Sequence, residues 1–178
     1  MFNMQDIKDI ARYLGISLLS KGLSVSPLKL QKILYYSQSW HMVLFGRNNT
    51  LFADAPQAWV NGPVYPVIFQ EYKNKVDGMC DHLHASDFDC KEDELANEAS
   101  KLAVKTNLSN EEIEFLDSIV TLYGSKSQNQ LIFMTHSEQP WVEQREGLSP
   151  FDYSNREISL DTMYSYYKAR YDKNHKEA

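Results

Sequence analysis

The chain has 178 residues and 20.6 kDa, 43% apolar and 24% charged, which excludes collagen-like, low-complexity and wholly disordered architectures. Its length suits one domain that buries about 70% of the unfolded chain's surface without staples. A net charge of −6 and a pI near 5.3 argue against a protein that condenses phosphate, so nucleic acid is not the expected partner.

In chain order, the start MFNMQDIKDIARYL carries Asp6, Lys8 and Asp9 where a signal peptide would be uninterrupted and apolar. No window reaches the roughly 18 consecutive apolar residues of a membrane span. A cytoplasmic protein is the expectation. Ile7, Ile10, Ala11, Leu14 and Leu18 recur at helical spacing up to Lys21-Gly22, and a first helix follows from that. Ser26-Pro27 reads as an N-cap with proline at the first helical position. Leu30, Ile33, Leu34, His41, Leu44 and Phe45 then share one face until Gly46, with Tyr35, Tyr36 and Trp40 on the flank. A helix apolar most of the way round is expected at the centre of the fold.

Around Gln57-Ala58-Trp59-Val60 the pattern becomes β-like, and Asn61-Gly62-Pro63 reads as the turn of a short hairpin ending at Val64-Tyr65. Pro66 opens a further helix ending near Lys75. From Val76 to Asn107 the chain is polar and acidic, with Asp77, Asp81, Asp87, Asp89, Glu92, Asp93, Glu94 and Glu98 opposed up to that point only by Lys91. This stretch reads as an insertion or mobile loop with one short helix near Glu92 to Leu102. Ser109 with Glu112 forms a capping box for a helix to Gly124, and Ser127 caps another from Gln128 to about Thr135, stopped before Pro140-Trp141. A polar joint from Gln144 to Arg156 precedes a last helix, Leu160 to Tyr171, whose Met163, Tyr164, Tyr166, Tyr167 and Tyr171 can lie over the bundle. The predicted fold is mainly α: a single-domain helical bundle over 1–178 around a central aromatic-rich helix, with a small β-hairpin, the 76–107 insertion and a C-terminal helical extension over 143–178.

Three groups could carry chemistry. Cys80, His82, His84 and Cys90 are zinc-ligand types, but Cys-x-His-x-His is not knuckle spacing, so a polar loop with reduced thiols and no metal is expected. His136 and Glu138 would suit acid–base work, yet the segment Thr135 to Trp141 equally makes a helix end locked into the core. His41 lies on an apolar face, where a lone histidine is a satisfied core group. No GxxxxGK[ST], GxGxxG, GxSxG or HExxH occurs. Interaction, without cofactor or catalysis, is therefore the leading class.

Taken together, Leu28-Lys-Leu-Gln-Lys-Ile-Leu-Tyr-Tyr-Ser-Gln-Ser-Trp-His41, Ala58-Trp-Val-Asn-Gly-Pro-Val64 and Thr135-His-Ser-Glu-Gln-Pro-Trp141 resemble the three signatures of the Panacea domain family, the SocA/GepA-like group often borne by prophages. The resemblance covers about residues 5 to 142. It implies an antitoxin that neutralises a cognate toxin encoded nearby by direct binding, or alternatively an adaptor that delivers the toxin to a cellular protease. An enzyme using His136 and Glu138 is a lesser reading. Family members often add a DNA-binding helix-turn-helix, for which the residues after Trp141 leave no room. The basic cluster Lys168, Arg170, Lys173 and Lys176 is the lone hint of a repressor. The signature residues Leu30, Gln31, Tyr35, Tyr36, Trp40, His41, Trp59, Gly62, Pro63, Thr135, His136, Glu138 and Trp141 are the candidate partner-binding set, with most aromatics expected in the core and some along a groove. Asp87, Asp89, Glu92 and Glu94 are the candidates for steering a basic partner.

Overall fold

The computed structural model describes residues 4–176; residues 1–3 and 177–178, which the one-domain reading also takes in, lie outside the described residues. Helix α1 (Ile7–Ser20) starts at Asp6, whose carboxylate accepts the Lys8 N–H at 2.8 Å, and stops at Lys21-Gly22, where Gly22 turns with φ +71°. Helix α2 (Pro27–Phe45) starts as its sequence indicates, with Ser26 accepting the Lys29 N–H and proline in the first turn, and ends at Gly46 with φ +110°.

Helix α2 is the axis of the fold, and every residue from Pro27 to Ser39 is buried. It touches α1, α3 (Pro66–Tyr72), α5 (Asn110–Gly124), α6 (Gln128–His136), α8 (Leu160–Lys176) and strand β2 (Gly62–Val64). Leu44 departs from the expected face: half of it is exposed, because the last turn runs beyond the elements that cover the rest. The capping boxes Ser109/Glu112 and Ser127/Gln130 start α5 and α6. Pro140 opens a short helix, α7 (Gln139–Gln144), in addition to closing α6. Helix α8 runs past the expected Tyr171 to Lys176.

Strand β1 (Gln57–Trp59) pairs antiparallel with β2, Ala58 opposite Pro63. The turn therefore falls at Val60-Asn61, one position earlier than the sequence suggests, and Gly62 and Pro63 lie inside β2. Pro63 fits there because it has no N–H to lose, while its neighbour Ala58 sends its own N–H outward to the Arg156 carbonyl at 2.8 Å.

The segment 76–107 holds the one helix expected there, α4 (Leu95–Lys105), which packs along α1, preceded by 3₁₀ turns at Ala85–Phe88 and Glu92–Glu94. Leu83, Ala85, Phe88, Leu95 and Leu102 are buried. The Phe88 ring presses against Gly15 of α1, where an added Cβ would stand 2.3 Å from its Cε1 and Cζ. Arg12 completes the seam, donating to the Phe88 carbonyl and to Glu98, both at 2.8 Å. Few apolar residues suffice because a glycine lets one aromatic ring reach the helix backbone. Phe88→Ala should cost about 3 to 5 kcal/mol, the range for truncating a buried aromatic. Urea unfolding checks this, and an unchanged midpoint would mean that the segment rests on the core without being part of it.

Candidate functional site

The three signature segments meet at one place, where α2, the hairpin and the α6–α7 joint come together. Gln31 grips Tyr65 at both ends of its amide, Nε2 donating to the Tyr65 carbonyl at 3.2 Å and Oε1 accepting its N–H at 2.8 Å. Seven residues on, two turns along the same face, Gln38 does the same for Phe52 O and Leu51 N. Lys32, fully buried, donates from Nζ to the Pro63 carbonyl at 3.0 Å. Its stem presses on Gly62 (φ +99°), where a Cβ would come within 2.6 Å of Lys32 Cε and 2.7 Å of Thr135 Oγ1. Burial without an opposite charge pulls the Lys32 amine down to about 7.

From the other side Trp141 donates its indole N–H to the Trp59 carbonyl at 2.9 Å, and His136 stacks on Trp141 with ring centroids 4.0 Å apart. Arg145 reaches the Ala58 carbonyl at 3.3 Å and lies over the Trp141 ring. Burial, then the nearby Lys32 charge, lowers the His136 pKa, and its Nε2 is buried without a hydrogen bond.

One turn along α2, Tyr36 donates to Glu138 Oε1 at 2.9 Å, and Tyr167 of α8 donates to Glu138 Oε2. Tyr36 stacks on Tyr123 of α5 at 4.2 Å, and the Trp40 indole donates to the Tyr123 hydroxyl at 2.7 Å. Arg170 stands 3.7 Å from the same carboxylate, which is 4% exposed. Desolvation raises the Glu138 pKa, and the two tyrosine hydroxyls oppose that rise by bonding to its charged form.

The sequence model of the family described as antitoxin SocA-like, Panacea domain, matches residues 30–142, more than half of the chain and the span that holds this site apart from Arg145 and the α8 residues. The chain belongs to that family. A general antitoxin role comes with the membership. Neither the curated proteins nor the solved structures contain a match to the chain.

Among the Panacea signature residues, Leu30, Gln31, Tyr35, Tyr36, His41, Gly62, Pro63, Thr135 and Glu138 are buried, while Trp40, Trp59, His136 and Trp141 are half-buried. Trp40 is thus a bridge between α2 and α5 instead of a core plug. His41 bonds the Asn49 carbonyl at 2.8 Å and Glu112 at 3.1 Å, and burial lowers its pKa despite those partners. Glu138 and His136 engage different partners, Glu138 the tyrosines and His136 Trp141 and the Val60 main chain.

Trp59 opens onto the surface, where it meets Phe69 edge-on at 5.0 Å and borders a cleft of about 170 Å³ with Asn61, Val64, Met79 and Tyr153. Among the described residues no three His, Cys, Asp or Glu side chains gather as a metal site. Cys80 and His82 face Ser26 and Lys29, whereas Cys90 donates to the Lys91 carbonyl. Of the four steering candidates, Asp87 accepts the His84 N–H and Glu92 the Ala85 N–H, so both fasten turns. Asp89 and Glu94 are exposed. No helix among the described residues is long and apolar enough to cross a membrane.

Lys32, Tyr123, Arg145, Tyr167 and Arg170 belong to the site although no motif singles them out. For Lys32 a signal existed, since a helix apolar all round leaves its lysines nowhere to go. An amine charged in the unfolded chain up to its ordinary 10.5 but neutral above about 7 in the fold binds fewer protons when folded. Stability from this group is therefore lowest below pH 7 and rises with pH by about 1.4 kcal/mol per unit towards pH ~10. The stability difference between Lys32→Met and the wild type should shrink across that window in urea titrations. A constant difference would show that the amine keeps its ordinary pKa.

Proposed function

We propose that this chain neutralises a cognate toxin protein, encoded nearby, by direct binding and with no chemistry of its own. The Panacea match over residues 30–142 carries the reading. The partners of the signature residues support it: Gln31 and Trp141 bond to main-chain carbonyls, and Glu138 accepts from tyrosine hydroxyls, all of which hold the scaffold. The hairpin cleft beside Trp59 and Phe69, with Tyr153 74% exposed at its edge, offers rigid aromatic surface of the kind that anchors protein partners. In this reading the chain acts in the cytoplasm, as one half of a prophage-borne pair.

Co-expression with the neighbouring gene tests it. The neighbour alone should arrest growth and the wild-type chain should restore it, whereas a harmless neighbour ends the proposal. Tyr153→Ala with Asn61→Arg, both exposed positions, should weaken toxin binding at least about tenfold with the melting temperature unchanged. A neighbour whose half-life falls in pulse-chase when the chain is present would instead make it a proteolytic adaptor.

The exposed carboxylates Asp89, Asp93 and Glu94 are proposed to steer a basic toxin, such as one that holds RNA or nucleotides. Replacing these three with amides should slow association and flatten its salt dependence while leaving dissociation alone. Identical stopped-flow rates at two ionic strengths would remove steering from the account.

A further inference from the structure

Helix α8 lies wholly outside the family-matched residues 30–142, yet it covers their most polar buried group. Its fully buried side chains are two, Met163 and Tyr167, four residues apart on one face. Tyr167 sits among Tyr35, Tyr36 and Trp40, with ring centroids 6.0, 6.1 and 5.3 Å away, and its hydroxyl donates to Glu138. One turn on, Arg170 stands beside the same carboxylate. At the other end, the contact is an exposed pair, Arg47 with Asp161 at 2.8 Å. Leu160, Tyr164 and Tyr166 are half-buried and pack against the core, and the outward face of the helix meets solvent.

The chain leading into α8 is anchored independently of it. The Ile158 N–H donates to the Pro56 carbonyl and the Arg156 carbonyl accepts from Ala58, both at 2.8 Å. Arg156 in turn holds the Gln144 and Glu146 carbonyls. Ser159 then caps α8 by accepting the Thr162 N–H at 3.0 Å. Ser159 alone thus stands between the anchored Ile158 and the first residue of α8, and the cap belongs to the helix.

We propose that Glu138, with the Tyr36, Tyr123 and Trp40 side chains around it, is a docking site for a helix presenting a tyrosine and, one turn later, an arginine, and that α8 fills this site in cis until a partner helix of the same chemistry displaces it. The acceptor lies within the matched residues 30–142 and its cover outside them. Only the step in which the displacing helix is a toxin's rests on the proposed function; opening and recognition do not.

Two measurements on the full chain test this. By hydrogen exchange, α8 amides should exchange at least about 100-fold faster than those of α2, since a strap that opens locally is less protected than the core, and Tyr167→Phe should speed α8 about tenfold without changing α2. A labelled peptide of residues 159–176 is the binding probe. It should bind Tyr167→Ala/Arg170→Ala at least about tenfold more tightly than wild type, whose own helix competes, and adding Glu138→Gln should abolish the gain. Equal protection of α8 and α2, equal peptide binding by wild type and variant, or indifference to Glu138→Gln would each overturn the proposal. Neither measurement contains a toxin, so a harmless neighbouring gene would end the previous reading and leave these results standing.

Discussion

A helix buried on every side from Pro27 to Ser39 is the constraint from which the rest of the structure follows. Seven of the polar residues of α2, Lys29, Gln31, Lys32, Ser37, Gln38, Ser39 and His41, lie in the interior, where an unpaired donor or acceptor costs on the order of 1 to 3 kcal/mol. Ser37 and Ser39 return their hydroxyls to the carbonyls of Ile33 and Tyr35 in their own helix. The other five take partners from elsewhere: Gly124 at the end of α5, Tyr65 and Pro63 in the hairpin, and Phe52 and Asn49 in the loop after α2. The surrounding elements are placed where those partners are needed.

Glu138 presents the same problem with a charge. Its carboxylate lies inside, with two tyrosine hydroxyls as donors and a guanidinium at 3.7 Å, beyond hydrogen-bond range. Neutral donors lower the cost of a buried carboxylate without cancelling it, which is why its pKa lies above the ordinary value. Both hydroxyls come from residues that themselves pack aromatic faces, Tyr36 on Tyr123 and Tyr167 against Trp40. The polar group and the aromatic cluster therefore stand or fall together.

Local signals in the sequence translate well. Ser26-Pro27, Gly46 and the capping boxes at Ser109 and Ser127 involve residues within a turn of each other, so their meaning survives folding intact. Long-range encounters are illegible. Nothing in the acidic stretch announces that Phe88 will find Gly15, or that the tyrosine meeting Glu138 comes from the last helix. The site is legible in part: His41 as a satisfied core group and Thr135 to Trp141 as a helix end locked into the core follow from the sequence, whereas the separate partners of His136 and Glu138, two positions apart, do not. Lys32 is assigned no role by the sequence reading, because a lysine is rarely buried and its charge draws attention away from its place on a helix apolar all round.

The five long-range grips of α2 share one property: their contacts reach main-chain atoms, with Glu112 the lone side chain among them. Main-chain atoms are the same whatever residue carries them. A helix that holds its surroundings in this way reads the path of the chain and not its letters, so outward side chains such as those at Ala53, Asn61 and Asp93 are free to be rewritten without loosening the frame. Such a frame fixes the course of the backbone and leaves the character of the surface to be set separately.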